Sequence, residues 1–464
     1  MNIATIVLSA GKGTRMNSEI PKVLHKVLGK EIILWSNDAI KNFENKFFVI
    51  GHQHQLVKEY ISDDSQTIIQ QQQLGTGHAL LVVFNDESFL SSTYDYVLVV
   101  PGDVPLIEEE TLNRLITKVI DYDAAIGFLV ASANNPFGYG RVILDKEDNV
   151  SRIVEERDAS EKEKKINLIN SGVYCFKYDF IANHIGQLSD ANEQHEFYLT
   201  DLVELAFTEK QKILVEESSE VSIMGINSMD QLHNLEREAR DNIINKHIAN
   251  GVYFQDATTA YIDKDVAIGN GTKILANTHL LGNTVIGENC KIGPNTMISD
   301  SDIGSSSTVI YSVVTESSTK REVQVGPYAH LRPGSNLGKR VKVGAFAETK
   351  KSNIGDGSKI PHLAYVGDGE IEKNVNFSAG AITVNYDGEN KNKTVIKEGA
   401  FIGSDVMLIA PVTIGEGAFI GAGSVITKDV PPKALAVERS EQKNIEGYAD
   451  RKKIRKTKND STTK

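Results

Sequence analysis

The C-terminal half of the chain is organised by a repeat that begins at residues 261–298, YIDKDVAIGNGTKILANTHLLGNTVIGENCKIGPNTMI. An aliphatic residue occupies every sixth position of this stretch, namely Ile262, Ile268, Ile274, Leu280, Ile286, Ile292 and Ile298. A period of six fits neither an α-helix nor an alternating strand, and the irregular loops of a β-sandwich would not maintain it. The pattern is typical of a parallel β-helix, in which each hexad forms a short strand and a turn and successive coils stack their apolar residues.

The same period returns three times further along the chain, over residues 325–343, 354–366 and 396–426. Loops that leave a solenoid commonly carry function. We therefore expect loops at the three interruptions, which lie between Ile303 and Val325, near Thr349, and between Val366 and Ile396. The longest contains two segments dense in hydrogen-bonding groups, NFSAG at residues 376–380 and NYDG at residues 385–388.

Length and composition predict a multidomain protein of a reducing compartment. The chain has 464 residues, of which 40% are hydrophobic, so two or three domains with well-formed cores are expected. No apolar run has the length of a membrane span, and residues 2–8 lack the preceding basic region of a signal peptide. The formal net charge of −12 argues against a nucleic-acid partner. We expect Cys175 and Cys290 to be free, buried thiols of a cytoplasmic protein.

Changes of pattern divide the chain into four segments. We expect an α/β domain over residues 1–227, a linker helix over 228–250, a β-helix over 251–440 and a disordered basic tail over 441–464. Ser228 is the expected N-cap of the linker helix and Gly251 its terminator. The apolar stripe of this helix consists of Leu232, Leu235, Ala239 and Ile243.

The N-terminal segment begins with a buried strand at residues 2–8 that leads directly into a glycine turn, SAGKGTR at residues 9–15. In α/β proteins such a turn brings backbone N–H groups close to phosphates. The turn is neither a Walker A loop nor a complete dinucleotide-binding fingerprint. Either Arg15 and Lys22 both face a triphosphate here, or they are ordinary surface cations.

Further strands are predicted at residues 47–50, 67–69, 96–100 and 125–130, with helical stretches between them. This alternation favours a mainly parallel sheet covered by helices. Asp103 directly follows the third of these strands, in the sequence PGDVP. Because ligands of open α/β sheets bind at the carboxyl ends of the strands, Asp103 is a candidate metal ligand or catalytic group.

Several motifs resemble those of nucleotidyltransferases that join a sugar phosphate to a nucleotide. They are LSAGKGTRM at 8–16, PKVL at 21–24, QLGTGHA at 73–79, GDVPLI at 102–107, GYGR at 138–141, IVEE at 153–156, INSG at 169–172 and GIN at 225–227. With the β-helix behind them, they resemble one family of bacterial wall synthesis, the bifunctional N-acetylglucosamine-1-phosphate uridylyltransferases and glucosamine-1-phosphate acetyltransferases. The resemblance covers residues 1 to about 445. It implies a Rossmann-like α/β nucleotidyltransferase domain followed by a left-handed parallel β-helix of hexapeptide repeats.

The resemblance also implies the residues of the uridylyl-transfer site. Those expected to bind UDP-N-acetylglucosamine are Leu8, Ala10, Gly11, Lys22, Gln70, Gly75, Thr76, Gly140, Glu155, Asn170 and Asn227. Arg15 and Lys22 are implied as catalytic cations along the phosphates of UTP, and Asp103 with Asn227 as ligands of Mg²⁺. This set agrees with phosphoryl transfer, which depends mainly on positioning and charge neutralisation.

The acetyl-transfer site is expected in the β-helix. An amine that attacks a thioester needs a base, and His362 lies beside the longest interruption, although a lone histidine in a repeat is by default a surface residue. HLAYVGD at residues 362–368 resembles the base motif of the family. The resemblance implies that glucosamine-1-phosphate binds Arg332, Lys350, Tyr365, Asn376 and Asn385. It implies that acetyl-CoA, the second substrate, binds Ala379, Tyr386, Ser404, Ala422 and Arg439. It also implies a homotrimer with this site between neighbouring subunits.

Two residues depart from the pattern of the family. Pro101 stands where tyrosine is usual before Gly-Asp, and Ser9 replaces an alanine of the glycine turn. We expect Pro101 to alter packing around the nucleotide or sugar, and neither residue to abolish the chemistry.

Three alternative functions share features with this sequence. The first is a nucleotidyltransferase whose β-helix serves only assembly. The second is a β-helix carbonic anhydrase with zinc bound by His279, His330 and His362, which the dispersal of these histidines disfavours. The third is a structural scaffold, which the polar interruptions of the repeat disfavour.

Overall fold

The computed structural model describes residues 1–453, which form two compact units. The first unit comprises Met1–Lys246 and Ile262–Lys264, and the second comprises His247–Tyr261 and the chain from Asp265 onward. Part of the predicted basic tail is helical, over residues 448–453, and its residues 454–464 lie outside the described residues. None of the helices in residues 1–453 is long and apolar enough to cross a membrane.

The first unit is built around a mixed β-sheet. In chain order its strands are β1 (Ile3–Ser9), β2 (Lys26–Val27), β3 (Lys30–Glu31), β4 (Asn45–Ile50), β5 (Gln66–Ile69), β6 (Tyr96–Pro101), β7 (Ile126–Ser132), β8 (Arg141–Leu144), β9 (Val150–Val154), β10 (Leu168–Lys177) and β11 (Ile213–Glu217). Strands β2 and β3 form a separate hairpin. The main sheet has the order β11-β7-β10-β6-β1-β4-β5, with β8 paired to β10 and β9 paired to β8.

The pairings of β1 with β4 and β6, of β4 with β5, and of β7 with β11 are parallel, as the alternation of strands and helices predicts. Strand β10 is antiparallel to β6, β7 and β8, so the sheet is mixed. Because β1 and β6 are parallel neighbours, the glycine turn after Ser9 and the loop that carries Asp103 begin at the same edge of the sheet.

Helices cover both faces of this sheet. The helices are α1 (Ile32–Ala39), α2 (His54–Lys58), α3 (Thr76–Phe84), α4 (Glu87–Leu90), α5 (Glu109–Asp121), α6 (Tyr178–His184), α7 (Asp201–Thr208) and α8 (Met229–Ala249). Short 3₁₀ turns lie at Thr14–Met16, Lys22–Leu24, Glu163–Lys165, Ile185–Gln187, Val221–Ile223 and Ala257–Thr259. Side chains alternate along each strand, so Ile6 and Val99 pack with α3 and α7 on one face, whereas Val7 and Val100 pack with α1 and α5 on the other.

The predicted linker helix forms as α8. Ser228 caps it, because its Oγ accepts a hydrogen bond from the backbone N–H of Gln231 at 3.2 Å. Of the predicted stripe, Leu232, Leu235 and Ala239 are buried and Ile243 packs against them. After the helix, Gly251 has a φ of +84° and donates its N–H to the carbonyl of Ile248 at 2.9 Å.

The second unit is a left-handed parallel β-helix, whose described strands form three flat faces. Face 1 consists of Tyr253–Phe254, Lys273–Ile274, Lys291–Ile292, Thr308–Val309, Gln324–Val325, Lys342–Ala345, Lys359–His362, Asn376–Phe377, Phe401–Ile402, Phe419–Ile420 and Leu435–Ala436. Face 2 consists of Ala260–Ile262, Thr278–Leu281, Thr296–Ser299, Val313–Thr315, His330–Leu331, Glu348–Lys350, Tyr365–Gly367, Ile382–Val384, Met407–Ile409 and Val425–Ile426. Face 3 consists of Ala267–Ile268, Val285–Ile286, Asp302–Ile303, Ser318–Thr319, Asn336–Leu337, Asn353–Ile354, Gly369–Ile371, Thr394–Ile396 and Val412–Ile414.

The six-residue period marks the interior of this β-helix. The predicted aliphatic residues from Ile274 to Ile298 are all buried, and Ile268, in the first strand of face 3, is partly buried. Each inward residue pairs in register with its equivalent in the next coil, as Ile274 does with Ile292. The core therefore grows coil by coil, as the repeat predicts.

The prediction of a loop between Ile303 and Val325 is wrong. The inward positions continue there at Val309, Val314 and Thr319, which are buried and paired with both neighbouring coils. The spacing shortens twice to five residues and one inward residue is polar, so the period is lost in the sequence although the coil continues.

The second expected interruption is also a regular coil. Thr349 is fully buried and pairs with Leu331 and Val366. The third interruption does contain an excursion, at residues 385–393, where the chain leaves the corner between faces 2 and 3.

An apolar ridge lies along the corner between faces 1 and 2. We define this corner ridge as Tyr311, Tyr328, Phe346 and Leu363, which are 37, 57, 60 and 64% exposed. The ring of Tyr328 stacks on that of Phe346 in the next coil, with centroids 5.3 Å apart, and lies 5.7 Å from that of Tyr311 in the preceding coil. All four have positive φ angles, a conformation that bulky side chains seldom adopt.

Two candidate active sites

A cleft of about 790 Å³ opens in the first unit, beside the residues that end β1 and β6. Ligands of open α/β sheets bind at this edge. Most of the residues predicted for uridylyl transfer line the cleft: Leu8, Ala10, Gly11, Lys22, Gln70, Gly75, Thr76, Asp103, Glu155 and Asn170. The structure thus brings together residues from six of the quoted motifs and from the end of β5.

One end of the cleft is shaped by the turn after β5. Gln70 is buried, and its side-chain amide contacts the carbonyl of Gly75 at 3.2 Å and the ring Nδ1 of His78 at 2.9 Å. Two backbone hydrogen bonds of Phe197 hold the turn. The N–H of Phe197 donates to the carbonyl of Leu74, and its carbonyl accepts from the N–H of Gly77. His78 was not among the predicted site residues, because its motif does not reveal that it orients Gln70.

Lys22, Asp103 and Asn227 meet at a second point of the cleft. The Lys22 ammonium forms an ion pair with Asp103 and donates to Asn227 Oδ1 at 3.0 Å. Asn227 reaches this point because the N–H of Ile226 donates to the carbonyl of Asp103 at 3.1 Å. One carboxylate oxygen and one amide oxygen therefore face a common cation position.

Gly140, Glu155 and Asn170 surround a third point. The N–H of Asn170 donates to the carbonyl of Gly140 at 2.9 Å. A Cβ atom at Gly140 would lie 2.9 Å from Ile153 Cγ2, so the close packing on Ile153 favours a glycine, and it would lie within contact distance of Glu155 Oε1 (3.5 Å) and of the Cβ of Asn170 (3.7 Å). Asn170 begins a bulge in β10, where the register with β7 shifts before Tyr174, and bulges commonly redirect side chains beside active sites.

Glu155 is half-buried at the wall of the cleft and lies among other carboxylates. Burial raises the pKa of Glu155 to about 7, against a hydrogen bond from Thr200 Oγ1 at 3.3 Å, and Asp158 and Asp201 raise it further. Near neutral pH its carboxyl group therefore exists in both protonation states. It can accept hydrogen bonds from sugar hydroxyls in one state and donate one in the other.

Some predicted residues are placed differently. Arg15 is exposed in the turn Thr14–Met16 and does not line the cleft. Pro101 does line it and packs against Gly172, where an added Cβ would lie 3.0 Å from Pro101 Cγ. Ser9 is buried beside Gly102, and its Oγ has no hydrogen-bond partner in residues 1–453.

In the second unit, cations gather on face 2 beside the excursion. Arg332 Nη1 contacts Glu348 Oε1 at 2.8 Å, and Lys350 lies one coil further along this face. The pKa of Lys350 is lowered by the adjacent ammonium of Lys391, and Arg332 and Lys351 contribute as well. Lys391, which was not predicted, returns to Lys350 from the excursion. Such a cluster of like charges suits a phosphate.

Asn385 anchors the start of the excursion. It is largely buried, and its side-chain amide donates a hydrogen bond to the carboxylate of Asp368. The Tyr365 hydroxyl and the Asn385 amide both lie over Gly367, where an added Cβ would be 2.5 and 2.8 Å away from them. Beyond Asn385, Tyr386 pairs with Lys391 across a small turn. Tyr365, Asn385 and the cation cluster thus form one polar surface at the edge of face 2.

His362 lies at the opposite edge of face 2, in the corner that also carries the corner ridge. It is exposed, and its ring nitrogens accept or donate no hydrogen bond within the described residues. Apart from Tyr386, the residues predicted for acetyl-CoA follow along the same corner: the carbonyl of Ala379 accepts a hydrogen bond from Asp405, that of Ser404 from Gly423, and that of Ala422 from Arg439. They form a column that leads away from His362 one coil at a time.

Within one chain, the predicted acetyl-transfer residues therefore form two groups. Arg332, Lys350, Tyr365, Asn385 and Tyr386 lie on face 2 or at its border with face 3. The second group lies on the side of face 1 and consists of His362, Asn376, Ala379, Ser404, Ala422 and Arg439. The structure of a single chain does not bring the two groups together.

The zinc-enzyme alternative does not fit the structure. His279 stacks on Tyr261 with ring centroids 4.7 Å apart, and residues 1–453 contain no group of three or more His, Cys, Asp or Glu side chains that could hold a metal.

Comparisons with known proteins agree with this arrangement. Residues 4–219 match the family model described as nucleotidyl transferase, and residues 265–300 and 393–428 match that of the bacterial transferase hexapeptide with six repeats. The chain is 46% identical over 452 residues to the bifunctional protein GlmU of Caldanaerobacter subterraneus subsp. tengcongensis, covering 97% of this chain and 98% of the relative. It is 42% identical to GlmU of Carboxydothermus hydrogenoformans over 450 residues (96% and 99%) and to GlmU of Clostridioides difficile over 458 residues (97% and 98%).

Identity of this extent over nearly the whole length of both chains includes the nucleotidyltransferase unit and the β-helix alike. The chain therefore belongs to the GlmU family of bifunctional N-acetylglucosamine-1-phosphate uridylyltransferases and glucosamine-1-phosphate acetyltransferases.

Proposed function

We propose that the two candidate sites carry the two reactions of this family in sequence. The β-helix transfers an acetyl group from acetyl-CoA to glucosamine-1-phosphate, and the first unit then joins the N-acetylglucosamine-1-phosphate to UTP and releases pyrophosphate. The observation that carries the proposal is the convergence of ten predicted residues on one cleft of the first unit.

In uridylyl transfer, a phosphate oxygen of the sugar phosphate attacks the α-phosphorus of UTP, and the bond to pyrophosphate breaks. No proton transfer is needed, so the task of the chain is to align the two substrates and to neutralise charge. We assign the uracil and ribose to the end of the cleft formed by Leu8, Ala10, Gly11, Gln70, Gly75 and Thr76. We assign the sugar to Gly140, Glu155 and Asn170, and the phosphates between them to Lys22, with Arg15 approaching from outside the cleft.

Asp103 and Asn227 fit a role as Mg²⁺ ligands. Their oxygens face a common position that the Lys22 ammonium holds in the structure, and carboxylate and amide oxygens are ligands that Mg²⁺ accepts alongside phosphates and water. When bound, the ion supplies charge neutralisation at the phosphates. The Lys22 side chain would then be free to contact phosphate oxygens directly.

In acetyl transfer, the amine of glucosamine-1-phosphate attacks the thioester carbonyl, a C–N bond forms and the C–S bond to CoA breaks. We assign His362 as the base that takes the proton from the amine and passes it to the departing thiolate. Arg332 and Lys350, joined by Lys391, would hold the phosphate, and Tyr365, Asn376 and Asn385 the hydroxyls. Acetyl-CoA would extend along the column from Ala379 through Ser404 and Ala422 to Arg439, with Tyr386 across from it.

We further propose that the acetyl-transfer site is completed in a homotrimer. The two groups of predicted residues lie at opposite edges of face 2, so a second copy is needed to bring one group beside the other. The corner ridge supports this assembly, because four large apolar side chains in a strained backbone conformation are exposed next to His362. The substrates and the two free, buried cysteines favour the cytoplasm as the location.

Replacement of Asp103 by alanine tests the uridylyl site. Asp103→Ala removes the carboxylate that faces the cation position, so pyrophosphate release from N-acetylglucosamine-1-phosphate and UTP should fall by about 10² or more. Thiol release from acetyl-CoA should stay at the wild-type rate. Asp123→Ala is the matched control, since Asp123 is an exposed partner of Lys177. Loss of both activities in a folded Asp103→Ala protein would contradict separate sites.

Replacement of His362 by alanine should have the opposite effect. Without a base, thiol release with glucosamine-1-phosphate should fall by about 10²–10⁴, while uridylyl transfer is retained. His279→Ala serves as the control, because His279 also lies on the β-helix but stacks on Tyr261. An acetyl-transfer rate that His362→Ala leaves unchanged would remove His362 from the mechanism.

Substitution in the corner ridge tests the assembly. Phe346→Ser should lower the fraction of trimer in sedimentation velocity, because it removes an exposed ring that stacks at 5.3 Å on Tyr328. It should also lower acetyl transfer and leave uridylyl transfer intact. Phe137→Ser removes a 71% exposed ring of the first unit and should change neither the fraction of trimer nor the rate of acetyl transfer. A Phe346→Ser protein that remains fully trimeric and active would show that the ridge is not an interface.

A further inference from the structure

An ion pair between the buried Arg141 and the partly exposed Glu156 lies next in sequence to two of the proposed sugar-binding residues. Arg141 is 1% exposed, and its Nη2 contacts Glu156 Oε2 at 2.6 Å. Arg141 follows Gly140 in the chain and Glu156 follows Glu155, but neither charged residue lines the cleft. The pair is therefore placed to act on the sugar site from outside it.

The ion pair binds the backbone of the loop at residues 138–140 through Gly138 and Tyr139. Glu156 Oε2 accepts a hydrogen bond from the N–H of Gly138 at 3.0 Å, and Arg141 Nη1 donates to the carbonyl of Tyr139. Arg141 Nη2 also reaches the carbonyl of Lys164, at 3.4 Å. Gly138 has a φ of +88°, a conformation open mainly to glycine, so this residue gives the loop its turn.

The position of this loop sets the dimensions of the sugar site. The carbonyl of Gly140 accepts the N–H of Asn170, and the Cα of Gly140 faces the carboxyl of Glu155. A shift of the loop would move Gly140 relative to both side chains, and displacements of about 1 Å in a binding site can cost about a hundredfold in activity.

We propose that the Arg141–Glu156 ion pair is a positioning device that sets the affinity for N-acetylglucosamine-1-phosphate without touching it. This inference rests on the proposed function of the cleft. The geometry is supported by the charge state of the pair: although burial acts to raise it, the pKa of Glu156 is lowered by the N–H of Gly138 and by Arg141. The carboxylate thus stays ionised and keeps both contacts.

The test is the affinity of Glu156→Gln for each substrate, measured by calorimetry. The side-chain amide of this variant is uncharged, so it binds Arg141 and the N–H of Gly138 less tightly than the carboxylate does. The Kd for N-acetylglucosamine-1-phosphate should therefore rise by about tenfold to a hundredfold. The Kd for UTP should change by less than about twofold, since the uracil end of the cleft makes no contact with the pair. Glu163→Gln is the matched control, because it breaks the neighbouring Arg152–Glu163 pair (2.7 Å), which does not contact the loop.

A double variant separates positioning from folding. Arg141→Met with Glu156→Leu removes the buried Arg141 charge and its partly buried partner at similar volume, so its melting temperature should lie closer to that of the wild type than the melting temperature of Glu156→Gln does. The Kd for the sugar phosphate should nevertheless remain raised, because Gly138 has lost its acceptor. Recovery of the sugar-phosphate Kd together with the melting temperature would overturn the proposal, as would an unchanged Kd in Glu156→Gln. If the wild-type protein binds both substrates but does not turn them over, the proposed function is contradicted. The Kd comparisons would still decide whether the ion pair positions the loop.

Discussion

The stacking of one inward side chain on the next along the β-helix is the interaction on which the second unit depends. The stacked side chains fill the interior, and backbone hydrogen bonds between the parallel strands hold successive coils about 4.8 Å apart, so residues far apart in sequence become neighbours when they occupy the same corner. Ala379 and Ser404 are linked to the next coil by backbone hydrogen bonds, and Ala422 is linked to it by the side chain of Arg439. The proposed acetyl-CoA site thus extends across successive coils, and the stacked core beneath it sets its length.

The first unit follows the same logic with a different scaffold. The parallel pairing of β1 with β6 places the glycine turn and Asp103 at one edge of the sheet, and the contact between Ile226 and Asp103 brings in Asn227. In both units the regular backbone sets the positions of the residues. Residues of the proposed sites lie where the backbone departs from that regularity. The bulge at Asn170 and the excursion that carries Lys391 are the clearest of these departures.

How much the sequence reveals depends on whether a feature is local or long-range. The period of six identifies the β-helix because each hexad repeats one local geometry, but five-residue spacings and the inward Thr319 hide two coils that are structurally regular. Side chains alternate in the same way along a parallel and an antiparallel strand. The sequence therefore does not reveal that β10 is antiparallel. The resemblance to the family implies Gln70, Lys350 and Glu155, whereas the roles of His78, Lys391 and Arg141 beside them depend on contacts that only the folded chain creates.

The central claim is that one chain carries two separate transferase sites, and the most direct measurement is thiol release by the purified protein from acetyl-CoA and glucosamine-1-phosphate. In parallel, pyrophosphate release is followed with UTP and N-acetylglucosamine-1-phosphate. The account predicts that both products form, and that thiol release does not require UTP. Pyrophosphate release without any thiol release would contradict it and would leave the β-helix with a role in assembly alone.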